Sequence, residues 1–234
     1  MTSSCALLSS LGSSLTVPLV EELEKLGLIP QAIILDGKMP ESGIAIEKAR
    51  LDASFTIRDL TDVDLIGTPT YFVKNHNSQI CVQLLKKLNI KYLLNAGTPR
   101  ILKSELLDAT NGVINCHPGM LPGYRGCTAV EWSIFNNDAV GATAHFMSPG
   151  IDEGAIICQE IMAVKAFENY EIIRTRMIGH QARVLAKAFQ KAAAGNLTPQ
   201  SLPAQSEGRY YKPIPWESLA EAKGKLLRGE YTSG

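Results

Sequence analysis

No two of the five cysteines, Cys5, Cys81, Cys116, Cys127 and Cys158, stand at C-x-x-C spacing, and their odd number leaves at least one unpaired. This argues for reduced thiols in a cytosolic protein. The chain also lacks any run approaching the roughly 18 apolar residues of a membrane span. Its start, MTSSCALLSSLGSSLTVPLVEELEK, has no basic segment, and Ser and Gly interrupt its apolar stretch. A cytoplasmic protein without membrane contact is the expectation. An excess of charge is missing as well: 23 Lys and Arg face 23 Asp and Glu, so no global field attracts a nucleic-acid backbone or an anionic membrane. With no cysteine pairs and only four dispersed histidines, no metal site is expected. No internal repeat or low-complexity block is present.

What is there belongs to ordinary folded proteins: 45% hydrophobic residues, 20% charged residues and a mean hydropathy near zero. A length of 234 residues accommodates one large domain with a real core plus a short appendage. We place the main domain at 1–195 and a C-terminal extension packing on it at 196–234.

Short apolar runs alternate with longer segments of helical period. Ala6-Leu7-Leu8 reads as a strand, Val17 to Leu26 as a helix, and Ala32 to Leu35, ended by the Asp36-Gly37 turn, as the next strand of a βαβ unit. Asn77 to Leu88 reads as a helix capped by Asn77 or Ser78, followed by strands at Lys91 to Leu94 and Val113 to Cys116. A helix over Ala129 to Asn137 and strands at Ala142 to Met147 and Ile156 to Val164 continue the pattern. Together these predict an α/β fold with a mostly parallel, twisted sheet flanked by helices. Glu168 to Ala194 reads as a long covering helix stopped by Gly195-Asn196, and the proline-bearing tail from Leu197 as extended chain, with a short helix after Trp216.

The chemistry concentrates in Asn115-Cys116-His117-Pro118-Gly119-Met120-Leu121-Pro122-Gly123-Tyr124-Arg125-Gly126. Asn115 and His117 are two apart at the carboxyl end of a predicted strand, so they share a face. Ligands of open α/β sheets bind at that end. An amide donor beside an imidazole suits a carbonyl whose oxygen turns negative during attack. Further on, in Ser148-Pro149-Gly150-Ile151-Asp152-Glu153-Gly154, Asp152 lies on a tight loop between two apolar strands and is positioned to meet His117. A carboxylate there orients the ring, favours its charged form and orders a water for proton movement.

These two blocks resemble the signature of the formyltransferase superfamily that uses 10-formyltetrahydrofolate. Its members include glycinamide ribonucleotide formyltransferase, methionyl-tRNA formyltransferase and the sugar N-formyltransferases. Asn115, His117, Pro118, Leu121 and Pro122 stand in register with its Asn-x-His-Pro and Leu-Pro elements, and Asp152 with its later Asp. Gly119 and Met120 depart from the usual Ser and Leu. The resemblance spans Cys5 to about Pro215 and is strongest from Asn95 to Gln159. It implies a Rossmann-like formyltransferase fold, with Asn115 and His117 stabilising the oxyanion while Asp152 sustains the charge on His117 and relays a proton. It places folate beside Arg100, Ile101 and Leu102, walled by Gly150 and Ile151, and a cis peptide at Leu121-Pro122. By the same resemblance the turn Gly12-Ser13-Ser14 grips a substrate phosphate, against the plainer reading of a helix cap. His145 takes a substrate-site role, against that of a half-buried strand histidine. Tyr124 or a tryptophan offers a ring to a nucleotide base, while His76 and His180 receive no role.

The implied reaction moves a formyl group to a primary amine of a small molecule. Tyr124-Arg125-Gly126, Glu131-Trp132-Ser133-Ile134 and Gly208-Arg209-Tyr210-Tyr211-Lys212 lean toward the sugar group, so a nucleotide-linked amino sugar is the expected acceptor. Glycinamide ribonucleotide, supported by Gly12-Ser13-Ser14 and His145, is the alternative. Transfer RNA ranks low, because the chain is neutral and is read as lacking the separate C-terminal domain of those enzymes. A 10-formyltetrahydrofolate hydrolase would use the same triad with water as acceptor, and a non-catalytic nucleotide-binding module would not need the triad at all. A homodimer is left open.

Overall fold

The computed structural model describes residues 2–38, 41–58, 60 and 68–232. Its centre is a seven-stranded sheet in the order β3-β2-β1-β4-β5-β7-β8. These strands are β1 (Thr2–Leu11), β2 (Ile29–Lys38), β3 (Thr70–Val73), β4 (Tyr92–Asn95), β5 (Val113–His117), β7 (Gly141–Phe146) and β8 (Ile156–Ile161). The pairs from β3 to β5 are parallel, whereas β7 runs antiparallel to both β5 and β8. The sheet is thus mostly parallel, with an antiparallel edge. From β1 the chain builds outward to β2 and β3 on one side and to β4 and β5 on the other. The carboxyl ends of β1 and β4 therefore flank a topological switch point, where ligands of such sheets bind.

Alternation along the strands feeds two cores. Leu7, Ile33, Leu94, Ile114 and Ala144 join one apolar cluster. Their neighbours Ala6, Leu8, Ile34, Leu93 and Val113 join the other, because successive strand side chains point to opposite faces. Helices α1 (Thr16–Lys25) and α6 (Tyr170–Gly195) cover the first face. In α1 the stripe Val17, Leu19, Val20 and Leu23 is buried and Glu24 and Lys25 are exposed. In α6, Ile173, Met177, Leu185 and Phe189 face inward, Asn169 caps the start and Asn196, at φ 49°, ends the helix. Helix α3 (Gln79–Lys87), capped by the Ser78 hydroxyl, and the short α4 (Ser104–Leu107) cover the second face.

Sequence reasoning passed over α2 (Glu41–Lys48), β3 and α4. The tail holds more structure than an extended chain. A 3-10 turn at Pro199–Ser201 precedes β9 (Tyr210–Tyr211), which pairs with β6 (Arg125–Gly126) directly after the proline- and glycine-bearing loop that follows β5. The last helix, α7 (Trp216–Arg228), buries Ala222 and Leu226 in the same core as Val130 and Ile134 of α5 (Ala129–Asn136).

Candidate active site

The face of β4 and β5 that carries Leu93 and Val113 turns polar one step further on, at Asn95 and Asn115. Strand β7, lying alongside in antiparallel register, sets His145 opposite Asn115 and Thr143 opposite His117. The loop after β7 then doubles back over the strand ends. Gly154 permits this, since a Cβ there would lie 1.7 Å from the Phe146 carbonyl oxygen. Within that loop Asp152 adopts φ 55°, a left-handed conformation that Asp tolerates better than most residues.

Asp152 meets both histidines. Its Oδ2 lies 3.2 Å from His117 Nδ1 and accepts from the Gly126 amide at 2.9 Å, while its Oδ1 is 3.6 Å from His145 Nε2. His145 Nε2 is also 3.2 Å from Asn115 Nδ2. The His117 ring is 5% exposed, with Nε2 at 2.6 Å from the Tyr124 carbonyl. Burial draws its pKa below the ordinary imidazole value, outweighing Asp152 and the Tyr124 carbonyl, which pull upward. Such a ring gives up its proton more readily than a free imidazole. Burial also works against charge on Asp152, yet His145, His117 and the Gly126 amide together hold its carboxyl below the usual carboxylate range.

Asn115, His145 and Asp152 line one cavity of about 230 Å³, together with Arg100, Ile101, Leu102 and the stretch from Met147 to Ile151. The five residues assigned to folate, Arg100, Ile101, Leu102, Gly150 and Ile151, thus share a cavity with two of the three assigned to the reaction. His117 lies behind Asp152 rather than on the cavity wall. Ile101 and Ile151 are exposed at its edge. The Arg100 guanidinium is not a free cation: it grips the buried Asp36 carboxylate through Nε and, at 2.9 Å, through Nη2. The departure at Gly119 has a local reason. A Cβ there would lie 2.6 Å from Ala129 Cβ and 2.9 Å from His117 Nε2, so the helix start and the ring leave no room for serine. The Leu121-Pro122 peptide is cis.

The residues assigned to the acceptor are less gathered. Gly12 lines a separate cavity of about 750 Å³ with α2 and residues 51–57, sharing no lining residue with the Asn115 cavity. The Ser13 hydroxyl donates to the Ala96 carbonyl at 2.7 Å and the Ser14 hydroxyl to the Glu47 carboxylate, so the proton of each is already committed. The Tyr124 ring stacks on Tyr211 at 5.1 Å between centroids, and its hydroxyl donates to Asp138. Its carbonyl, and not its ring, reaches the site.

Two residues escaped the sequence reading. Asn95 donates from Nδ2 to Asn115 Oδ1 at 2.9 Å. Gln205, in the tail, donates to the Asp152 carbonyl at 3.0 Å and to the Gly154 carbonyl, and accepts from Arg125 at 3.1 Å. No local pattern marks either one, because each acts only through neighbours distant in the chain. Among the described residues no group of three or more His, Cys, Asp or Glu could hold a metal ion, and no helix is long and apolar enough to cross a membrane.

A family model described as formyl transferase matches residues 49–189, more than half of the chain. The chain belongs to the formyl transferase family. Among its relatives is the methionyl-tRNA formyltransferase of Caldanaerobacter subterraneus subsp. tengcongensis, 29% identical over 163 residues, which make up 65% of this chain and 52% of that protein. The methionyl-tRNA formyltransferase of Prochlorococcus marinus is 33% identical over 129 residues, 54% of this chain and 38% of that one. The chain spans about half the length of the first of these relatives or less. Glycinamide ribonucleotide transformylase 1 of Symbiobacterium toebii has the same fold, with a TM-score of 0.63 at 22% identity over 86% of this chain and 92% of that one. A sugar N-formyltransferase of Shewanella sp. FDAARGOS_354 superposes with a TM-score of 0.59 at 21% identity over 90% and 76% of the two chains. This formyl transferase therefore shares its α/β sheet with structures whose names carry different acceptors.

Proposed function

We propose that this formyl transferase moves a formyl group from 10-formyltetrahydrofolate to a primary amine at the Asn115 cavity. The observation that carries the reading is the convergence of Asn115, His145 and Asp152 on a cavity walled by Arg100 to Leu102 and by the loop before Asp152. Its walls suit a heterocycle: Ile101, Leu102, Met147, Pro149 and Ile151 give it apolar sides, with Asn115, His145 and Asp152 as polar groups beside them. The bound folate supplies the electrophilic formyl carbon and, in N10, the leaving nitrogen. The chain's residues do the rest. Asn115 offers an amide proton to the formyl oxygen as the amine adds and the oxygen turns negative. His117, whose Nε2 is spent on the Tyr124 carbonyl and whose Nδ1 lies against Asp152, acts behind the cavity wall by holding that carboxylate in place. Asp152 takes up the proton that the attacking amine sheds, and passes it on as the bond to N10 breaks.

For the acceptor we infer an amino sugar carried on a nucleotide. What supports it over a phosphoribosyl acceptor is the turn at Gly12: its Ser14 hydroxyl already serves the Glu47 carboxylate, and a phosphate brought there would meet a like charge. Methionyl-tRNA is the second reading, favoured by the relatives that align in sequence. Purified protein incubated with 10-formyltetrahydrofolate should release tetrahydrofolate only when a suitable amine is added. Release without amine would instead mean hydrolysis, and no release under any condition would sink the transferase reading. Running the assay with nucleotide-linked amino sugars, glycinamide ribonucleotide and charged tRNA separates the acceptors.

A further inference from the structure

A primary amide can present either its N–H₂ edge or its oxygen, and only the first stabilises a developing negative charge. Around Asn115 the choice is forced by neighbours. The parallel register pairs Leu94 of β4 with Ile114 of β5, so the next residues, Asn95 and Asn115, stand side by side. Asn95 Oδ1 accepts from the backbone N–H of Gly97 at 3.1 Å and of Thr98 at 3.0 Å. A backbone N–H only donates, so that edge of Asn95 is its oxygen, and Nδ2 must be the edge turned to Asn115. Asn115 meets it with Oδ1 at 2.9 Å and is left to point Nδ2 at His145 Nε2, 3.2 Å away. On the other side His145 Nδ1 faces the Phe146 carbonyl at 2.8 Å, an acceptor only, so Nδ1 carries a ring proton. The polarity runs one way from the Gly97 and Thr98 amides through Asn95 to Asn115. One Nδ2 proton of Asn115 is left for the cavity.

We propose that Asn95 is a positioning residue that decides which edge of the Asn115 amide faces the cavity, a role that rests on the formyl-transfer reading for its consequence in catalysis. Two substitutions separate positioning from a merely structural part. In Asn95→Asp the new carboxylate keeps both bonds to Gly97 and Thr98, but its second oxygen accepts only. Asn115 must then turn Nδ2 toward it and swing Oδ1 to the cavity and to His145. In Asn95→Leu the loop bonds are lost, yet nothing forces a reversal, because leucine sets no acceptor against Asn115.

A structural role makes the leucine variant the worse of the two; positioning makes the aspartate variant the worse. With an acceptor amine that the wild type formylates, Asn95→Asp should lower kcat by about 10²-fold, the loss typical of one oxyanion donor, and Asn95→Leu by about tenfold or less. KM for the folate should stay unchanged in both. A leucine variant as slow as the aspartate one, or a change confined to KM, overturns the proposal. The orientation is also read without turnover. In NMR spectra of the folded proteins, a cross-peak between the Asn115 side-chain amide protons and the His145 ring should appear in wild type and Asn95→Leu and vanish in Asn95→Asp. Its persistence in Asn95→Asp overturns the proposal whatever the activity. An inactive wild type with the stated NMR pattern would sink the formyl-transfer reading and leave the positioning role of Asn95 standing.

Discussion

Replacing Asp152 by Asn removes one negative charge and almost nothing else. Oδ2 accepts from the Gly126 amide, an obligate donor, so the asparagine oxygen should take that place and its NH₂ the place of Oδ1, facing His145. The loop keeps its bonds and the fold its stability. What disappears is a carboxylate 3.2 Å from His117 Nδ1, in a side chain only 12% exposed. At an effective dielectric of about 20 that separation corresponds to about 5 kcal/mol of gross attraction for a protonated ring. If a little over half of it acts on the reaction, turnover falls about 10²-fold, since each 1.4 kcal/mol is about tenfold. The sign of the pH effect follows from the same charge. Burial already holds His117 below the ordinary imidazole value of about 6.5, and Asp152 opposes that drop. Without the carboxylate the ring loses its proton still more easily, so the pH limb set by His117 moves to lower pH. The assay is kcat and kcat/KM for amine-dependent tetrahydrofolate release between pH 5 and 9, with a thermal melt alongside. Turnover within about threefold of wild type, or a limb that moves to higher pH, would refute the reasoning.

Further outcomes follow from the same geometry. His117→Ala should lower kcat by about 10²-fold or more with the melting temperature little changed, which single-turnover kinetics and calorimetry will check. Gln205→Met keeps the side chain's bulk but deletes its bonds to Asp152, Gly154 and Arg125. It should cost about 1–2 kcal/mol in urea unfolding and lower kcat several-fold through the loosened Asp152 loop, whereas an unchanged kcat would deny the tail any part in the site. Tyr124→Phe loses the bond to Asp138 and should lower the melting temperature while kcat stays close to wild type, because the carbonyl of Tyr124, and not its hydroxyl, meets His117.

Local pattern carried a large part of this protein. The short apolar runs of β1, β2, β4 and β5 were legible because these strands bury both faces, one in each core, and the helical stripes of α1, α3 and α6 because each helix buries one face. The Asn115 and His117 block was legible because the two stand two apart at the end of a strand, and the Asp152 block because it fills the loop between two apolar strands. Four-residue β3, half exposed along its length, and eight-residue α2, with Gly43 inside it, carry too little period to announce themselves.

Partners far apart in the chain were another matter. That β7 runs antiparallel to β5, and so sets His145 against Asn115, is a property of the sheet and not of either segment. Arg100 is 64 residues from the Asp36 that neutralises it, Ser14 is 33 from the Glu47 that occupies its hydroxyl, and Asp152 is 53 from the Gln205 that holds its carbonyl. By itself the sequence determined most of the strands and helices and the strand end on which Asn115 and His117 stand, since periodicity and motif spacing are local. Only the tertiary structure decided which of those groups are free to act, because hydrogen-bond donors and acceptors are spent on whatever neighbour the fold brings within about 3 Å.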